Sequence, residues 1–449
     1  MKSFLTDRQT MEDLNLLGRF KKDSIINIFD STTTRNGRQM LESMFRSPMT
    51  GAGEINARAE MFKYYKGLDF EFPFDEDQVE QIEYFLNLNG GENSTSAAVG
   101  IYLCKFKQIF ANDKNYEKLH EAITVLAEVT LQMENFLSAF PQNGCPIKAE
   151  IDAFKAVFTA QELQSVKKIA DLKGKLSLGQ TVGADRLFRV RLREGVDKMM
   201  ALIAHLDVYM AVGKAARERK YGFAHAVDSE HRFVDIKGVW HPSLLKPVAN
   251  DIRIDSEHNV FFLTGVNMAG KSTFMKAVSI TYYLAQMGFP IPAEAMEFTP
   301  VEGIYTSINV PDDISQGYSH FYAEVLRVKG IAQRVAEGRD LFIIFDELFK
   351  GTNVKDAYDA TLAVTDAYAS HRNCLYIIST HIVEVGPALA EKCGNVQFRF
   401  LAAQMQDNKL VYPYKLAEGI SADRHGMTII MNERILDIIR GEAVNDSQA

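Results

Sequence analysis

Residues 259–273 read NVFFLTGVNMAGKST: a short apolar run, a turn framed by Gly265 and Gly270, then Lys271-Ser272-Thr273 opening a helical pattern. The spacing fits G-x-x-x-x-G-K-[ST], in which backbone N–H groups and a helix N-terminus cradle phosphates. On this reading Gly265, Asn267, Met268, Ala269, Gly270, Lys271, Ser272 and Thr273 form a nucleotide-phosphate loop. Lys271 is expected to reach the β- and γ-phosphates, and the Ser272 hydroxyl to ligate Mg²⁺. A glycine-rich turn with no ligand is the alternative, and the strand before it and helix after it weigh against that.

Working outward, 449 residues are too many for one hydrophobic core and imply two or three domains, with 47% hydrophobic residues to fill them. The formal net charge of −8 argues against a surface that coats nucleic acid broadly, and leaves room for a local basic stripe. Cys104, Cys145, Cys374 and Cys393 lie far apart with no C-x-x-C, so neither a disulfide framework nor a zinc site is indicated. A reducing cytosol is the expected compartment. The N-terminus has no apolar leader, and no stretch reads as apolar for long enough to span a bilayer, so a cytoplasmic protein without membrane partners is expected.

Residues 1–230 read as helical. Asn36–Ser47 places Met40, Leu41, Met44 and Phe45 on one face, and Tyr116–Phe140 places Leu119, Ile123, Leu126, Thr130, Met133 and Leu137 along one stripe. Two more helical stretches are expected over Ile147–Leu172 and Asp185–Arg219. In the second, Arg186, Arg189 and Arg193 fall at i, i+3 and i+7, a spacing that would line a DNA phosphate backbone or simply make a solvated face.

Residues 231–449 alternate β-rich runs with helical stretches, the pattern of an α/β domain with a mainly parallel sheet. Strands are predicted at Val260–Thr264, Leu341–Phe345 and Leu375–Ser379, each apolar enough to be buried on both faces. Helices are predicted at Lys271–Met287, Ser319–Glu337 and Asp356–Ser370, and a hairpin turning at Asp407-Asn408. Leu341–Glu347 is an apolar strand ending in two acids, about 75 residues beyond the loop lysine, where a P-loop NTPase carries its second acidic element. Asp346 is then the Mg²⁺ carboxylate and Glu347 the general base for water. His381, directly after the third strand, is placed to sense the γ-phosphate or orient that water. Within Asp312–Glu324, Gly317, Ser319 and the following helix start read by spacing as a turn and N-cap able to receive an anion.

Together these segments resemble the ATPase domain of the MutS family of DNA mismatch-repair and recombination proteins. GVNMAGKST resembles that family's G-P-N-M-G-G-K-S-T, with Val266 for proline and Ala269 for glycine. Asp346–Thr352 is similar to D-E-I-G-R-G-T, with Phe349 in place of a glycine, and Ser379-Thr380-His381 to A-T-H. Gln286–Ala293, Gly317–Glu324, Trp240-His241-Pro242 and Pro247–Asp251 resemble further motifs, and Ile26–Leu41 is similar to the start of the family's core region.

The resemblance implies an all-α core and lever domain (1–230) followed by an ABC-type P-loop NTPase domain (231–449). It implies an Mg²⁺-dependent ATPase acting as a homodimer, with Ser319 of one subunit reaching the γ-phosphate held by the other and Val248 near the adenine. The implied partners are double-stranded DNA, bound by structure as mismatch, branch or junction, and other repair proteins. The chain begins at the core region, so the family's mismatch-reading and connector domains are expected to be absent, and Phe74-Asp75-Glu76, though it fits the reader's F-x-E, lies in the wrong place. An ATP-switched adaptor with little DNA affinity is the rival expectation; a transporter-type ATPase fits less well because L-S-G-G-Q is missing.

Overall fold

The computed structural model describes residues 4–18, 23–88, 101, 102, 104–106, 114–141, 144–266, 268–308, 320–406, 409–421, 431 and 435–440. The chain divides into two units, one of Ile28–Met44 and Met61–Arg217, the other of Met1–Asn27, Phe45–Glu60 and Glu218–Ala449. Composition places a single boundary near residue 230; the last crossing is close to it, at Arg217, but residues 1–27 and 45–60 belong with the C-terminal unit.

Among its described residues the first unit holds helices and no strand. The striped segment forms the helix Asn115–Ala139, and Leu119, Ile123, Leu126, Thr130, Met133 and Leu137 are all buried in it. It packs against the helices Glu76–Asn87 and Ala160–Ala170. Asp75 caps the former in a capping box with Gln78, so Phe74-Asp75-Glu76 is a helix start. The single helix expected over Ile147–Leu172 is two, Lys148–Val157 and Ala160–Ala170, because Thr159 leaves the helical region and its side chain accepts the Glu162 N–H.

Arg193–Glu218 corrects the expectation about membrane spans: it is long and apolar enough to cross a bilayer by length and composition. In this structure 78% of its most apolar window is buried within protein, as befits a core helix that is apolar all round. Its one buried acid, Asp207, accepts the Thr33 N–H at 2.9 Å, the Thr34 N–H at 2.7 Å and the Thr34 hydroxyl at 2.7 Å. Those donors lie at the start of the helix Arg35–Arg46, so the carboxylate serves as its N-terminal anion.

Among the described residues the second unit holds two larger sheets and a two-stranded one. Its strands are β1 (Ala224–Ala226), β2 (Phe233–Val239), β3 (Asn250–Asp255), β4 (Val260–Thr264), β5 (Ala295–Phe298), β6 (Gly303–Ser307), β7 (Leu341–Phe345), β8 (Leu375–Ser379), β9 (Val396–Leu401), β10 (Gln404–Gln406), β11 (Lys409–Val411) and β12 (Leu416–Glu418). The main sheet runs β12-β9-β4-β8-β7-β6, parallel except for β12. Every residue of β4, β7 and β8 is buried, as their apolar runs predict. A smaller sheet, β1-β5-β2-β3, joins β-rich runs beyond residue 231 to β1, a strand within residues 1–230, which were expected to be helical. β10 and β11 pair antiparallel as the predicted hairpin, whose turn residues 407 and 408 lie outside the described residues.

The N-terminal segment, which carries no strand signal of its own, is tied to this unit. Leu5 pairs in parallel with Gly303 at the β6 edge, and Asp13 accepts the Thr306 hydroxyl at 2.7 Å and the Ile308 N–H at 3.0 Å.

Replacing Asp207 by Ala should cost about 3 kcal/mol of stability, since three donors lose a charged acceptor. Urea unfolding reads this as a lower midpoint at unchanged slope; an unmoved midpoint would show the carboxylate to be dispensable.

Candidate active site

The site is assembled at the carboxyl ends of three neighbouring parallel strands, β4, β8 and β7. After β4 the backbone turns through Gly265 at φ 142°, Met268 at 69° and Gly270 at 95°, and the Ala269 N–H donates to the Val266 carbonyl at 3.3 Å. Glycine suits both ends of the turn through its positive φ, and a Cβ would also be tight, 3.0 Å from the Leu401 carbonyl oxygen at Gly265 and 3.1 Å from the Tyr414 ring at Gly270. Ala269 is buried and outside the left-handed region, so alanine fits where the resembling pattern has glycine. Helix Lys271–Gln286 begins with Gly270 at its cap and no side-chain cap, which leaves its first N–H groups for a ligand anion. Asn267 lies outside the described residues.

Three side chains meet Lys271 and Ser272 there. Lys271 Nζ donates to the Gly265 carbonyl at 2.8 Å and lies 3.4 Å from His381 Nδ1. The other ring nitrogen of His381 is 2.5 Å from Glu347 Oε1, so the ring bridges the lysine and the carboxylate. Asp346 takes a 2.6 Å hydrogen bond from the Ser379 hydroxyl and a further one from Ser272.

Burial pushes Asp346 up, against Ser272 and Ser379, and pushes Lys271 down, against Glu347 and Asp346. Both buried charges therefore favour a ligand that brings the opposite sign. The hydrogen bond from His381 holds Glu347 below the ordinary carboxylate range, so it is ionised and able to accept a proton.

A cavity of about 490 Å³ opens beside the turn, with Val248, Lys271, Ser272 and Glu347 in its wall. Trp240, His241 and Tyr414 line it as well, so aromatic surface is present although Val248 offers none. Tyr414 was not legible in sequence, because it arrives from the β11–β12 connection; Asn250, in the Pro247–Asp251 motif, holds it by donating to its carbonyl at 2.9 Å. Thr273 is exposed on the helix beyond the loop. Among the described residues no group of three or more His, Cys, Asp or Glu is arranged to hold a metal. Ser272 and Asp346 offer the hard oxygen ligands that suit Mg²⁺, with phosphate oxygens needed to complete its shell.

Ser319 lies outside the described residues, as do Asp312, Asp313 and Gly317. The arginine stripe is broken up. A π-turn, Leu187–Arg191, interrupts the helix, and the i, i+3, i+7 spacing presupposes none. Arg189 turns inward onto Asp185 at 2.7 Å, the Leu88 carbonyl and the Phe85 ring. Arg193 pairs with Asp197 at 3.0 Å, and Arg186 is exposed.

Residues 261–444 match the sequence profile of MutS domain V. The chain is similar to the DNA mismatch repair protein MutS of Geobacillus thermodenitrificans, 30% identical over 271 residues, which are 56% of this chain and 29% of that protein. The corresponding protein of Staphylococcus haemolyticus is 27% identical over 272 residues, 58% of this chain and 30% of the relative. The chain thus spans under a third of the length of the curated relatives it matches. The motif resemblance to MutS is borne out over the C-terminal half.

A carboxyl depressed in the folded state stabilises the fold above its unfolded value of 4.5, and that contribution is lost as pH falls through the folded value. Wild-type protein should therefore lose melting temperature more steeply than Glu347→Gln from about pH 6 to about pH 3. Parallel slopes would remove the energetic role of the His381 pairing.

Proposed function

We propose that this chain, whose residues 261–444 match the profile of MutS domain V, is a cytoplasmic, ATP-dependent DNA-binding protein of the mismatch-repair type. The convergence of Lys271, Glu347 and His381, with Asp346 beside Ser272, at an uncapped helix N-terminus whose cavity has Lys271 and Glu347 in its wall carries the hydrolytic reading. The loop N–H groups and Lys271 bind the β- and γ-phosphates of ATP and stabilise the charge that develops there. Glu347, ionised through its pairing with His381, takes the proton of the attacking water as the γ-phosphoryl group transfers to it, leaving ADP and phosphate. Ser272 and Asp346 hold Mg²⁺, which when bound neutralises charge on the phosphate oxygens. Trp240, Val248 and Tyr414 offer the apolar wall for the base. A second copy completes the site with Ser319 of the partner subunit, so that a homodimer is the working form.

Glu347→Gln should retain ATP binding and lose about 100-fold or more in steady-state hydrolysis. Undiminished turnover by that variant would sink the assignment of Glu347.

For DNA, support comes from the relatives, which are DNA mismatch repair proteins by name. Arg186 and Arg193 remain as contacts to a duplex recognised by its structure, and ATP turnover drives movement of the helical unit on it. The engagement of Arg189 with Asp185 favours a second reading, a nucleotide-switched adaptor that recruits repair proteins and holds DNA weakly. Binding of mismatched duplex, matched duplex and four-way junction across a salt series separates the two. The DNA reading expects affinity to fall steeply with salt, and Arg186→Glu with Arg193→Glu to flatten that dependence. No structure-selective binding, with hydrolysis intact, selects the adaptor.

A further inference from the structure

We propose that Glu324 is a positioning residue for Glu347, acting through the peptide of Phe349; the inference rests on the hydrolytic reading above. Residues 346–349 form the turn that leaves β7, and two of the four have left-handed backbones, Glu347 at φ 57° and Phe349 at φ 60°. Neither has glycine's freedom, so the conformation persists only where neighbours over-determine it.

The restraints come from two sides. On the β8 side, the Glu347 N–H donates to the Ser379 carbonyl at 3.1 Å and to its hydroxyl at 3.0 Å, while that hydroxyl donates to Asp346. On the other side stands the helix His320–Ala336. Glu324, 3% exposed on that helix, accepts the Phe349 N–H at 2.8 Å. The Phe349 ring is buried and meets Phe321 of the same helix edge-on, with centroids 6.1 Å apart.

A carboxylate buried this deeply is costly, and one of its oxygens accepts the backbone N–H at the strained end of the turn. Serine fixes where the turn begins; Glu324 fixes where it ends. The side chain between them is the proposed base, 2.5 Å from His381. Without the Glu324 acceptor, Phe349 is released toward the right-handed region, and Glu347 rotates away from His381 and from water at the γ-phosphate. The nucleotide contacts of Lys271 and Ser272, on a different strand and helix, stay in place.

The test uses the full chain, wild type against Glu324→Ala, Glu324→Asp and Glu324→Gln. Mg-ATP binding is followed by fluorescence of Trp240, the single tryptophan, which lines the nucleotide cavity. Glu324→Ala should lower kcat about 10-fold with KM and the Trp240 titration within about 2-fold of wild type. Glu324→Gln should keep most of kcat, because its amide oxygen still accepts the Phe349 N–H. Glu324→Asp keeps the charge but withdraws it by one methylene, so it should resemble Ala, and it decides the matter if Ala does not fold.

Wild-type turnover in Glu324→Ala or Glu324→Asp overturns the inference and leaves the hydrolytic reading standing. So does a loss in kcat accompanied by an equal loss of ATP binding, or a Gln variant as impaired as Ala. A wild-type protein that binds Mg-ATP without hydrolysing it overturns both.

Discussion

Lys271 and Asp346 are opposite charges buried in one site, and each is pushed toward its neutral form by that burial. Lys271 donates to the loop carbonyls of Gly265 and Val266 and lies against His381, while Asp346 accepts from Ser272 and Ser379, and these partners do not return what water would give a full charge. The remainder of the site is arranged around this deficit. An uncapped helix N-terminus supplies more positive potential beside the lysine, and Ser272 turns its hydroxyl to the aspartate. A polyanion with a bound divalent cation relieves both deficits at once. That electrostatic fit is the reason phosphate chemistry, rather than structural ion pairing, is the reading carried by this cluster.

Convergence depends on the order of the sheet. Lys271 follows β4, the two acids follow β7 and His381 follows β8, and the sheet sets these strands side by side as β4-β8-β7. Leu263 pairs with Ser379, and Phe345 with Ile378, so the three strands end level. Residues 110 positions apart, such as Lys271 and His381, are then within 3.4 Å. Parallel strands buried on both faces leave only their carboxyl ends open for ligands, which is where an α/β sheet carries its sites.

Much of this was readable from local pattern. Val260–Thr264, Leu341–Phe345 and Leu375–Ser379 are strands with the predicted bounds, because runs of buried apolar residues closed by Gly, Asp or Thr have few other solutions. The helix Asn115–Ala139 follows its stripe for the same reason. Elsewhere local pattern misleads. Thr159 divides what periodicity joins, since a cap is one hydroxyl and leaves the apolar spacing intact on either side. The π-turn at Leu187–Arg191 adds one residue to a turn, which no composition reveals, and it scatters arginines that a regular helix would align. Arg193–Glu218 carries enough charge at its ends to read as an ordinary soluble helix, and its apolar middle stands out only when its full extent is known.

The sequence by itself determined which residues make up the candidate site: the turn between Gly265 and Gly270, Lys271 and Ser272 after it, the acids at Asp346 and Glu347, and the family to which that set bears likeness. Such features are set by residue type at fixed short spacing, so they survive without coordinates. Tertiary structure alone decided what surrounds them. Tyr414 reaches the cavity from a distant loop held by Asn250; Leu5 and Asp13 attach an N-terminal segment to β6; Glu324 secures the far end of the Glu347 turn. Each of these is a contact between residues far apart in the chain, made by hydrogen bonds whose partners no local periodicity specifies.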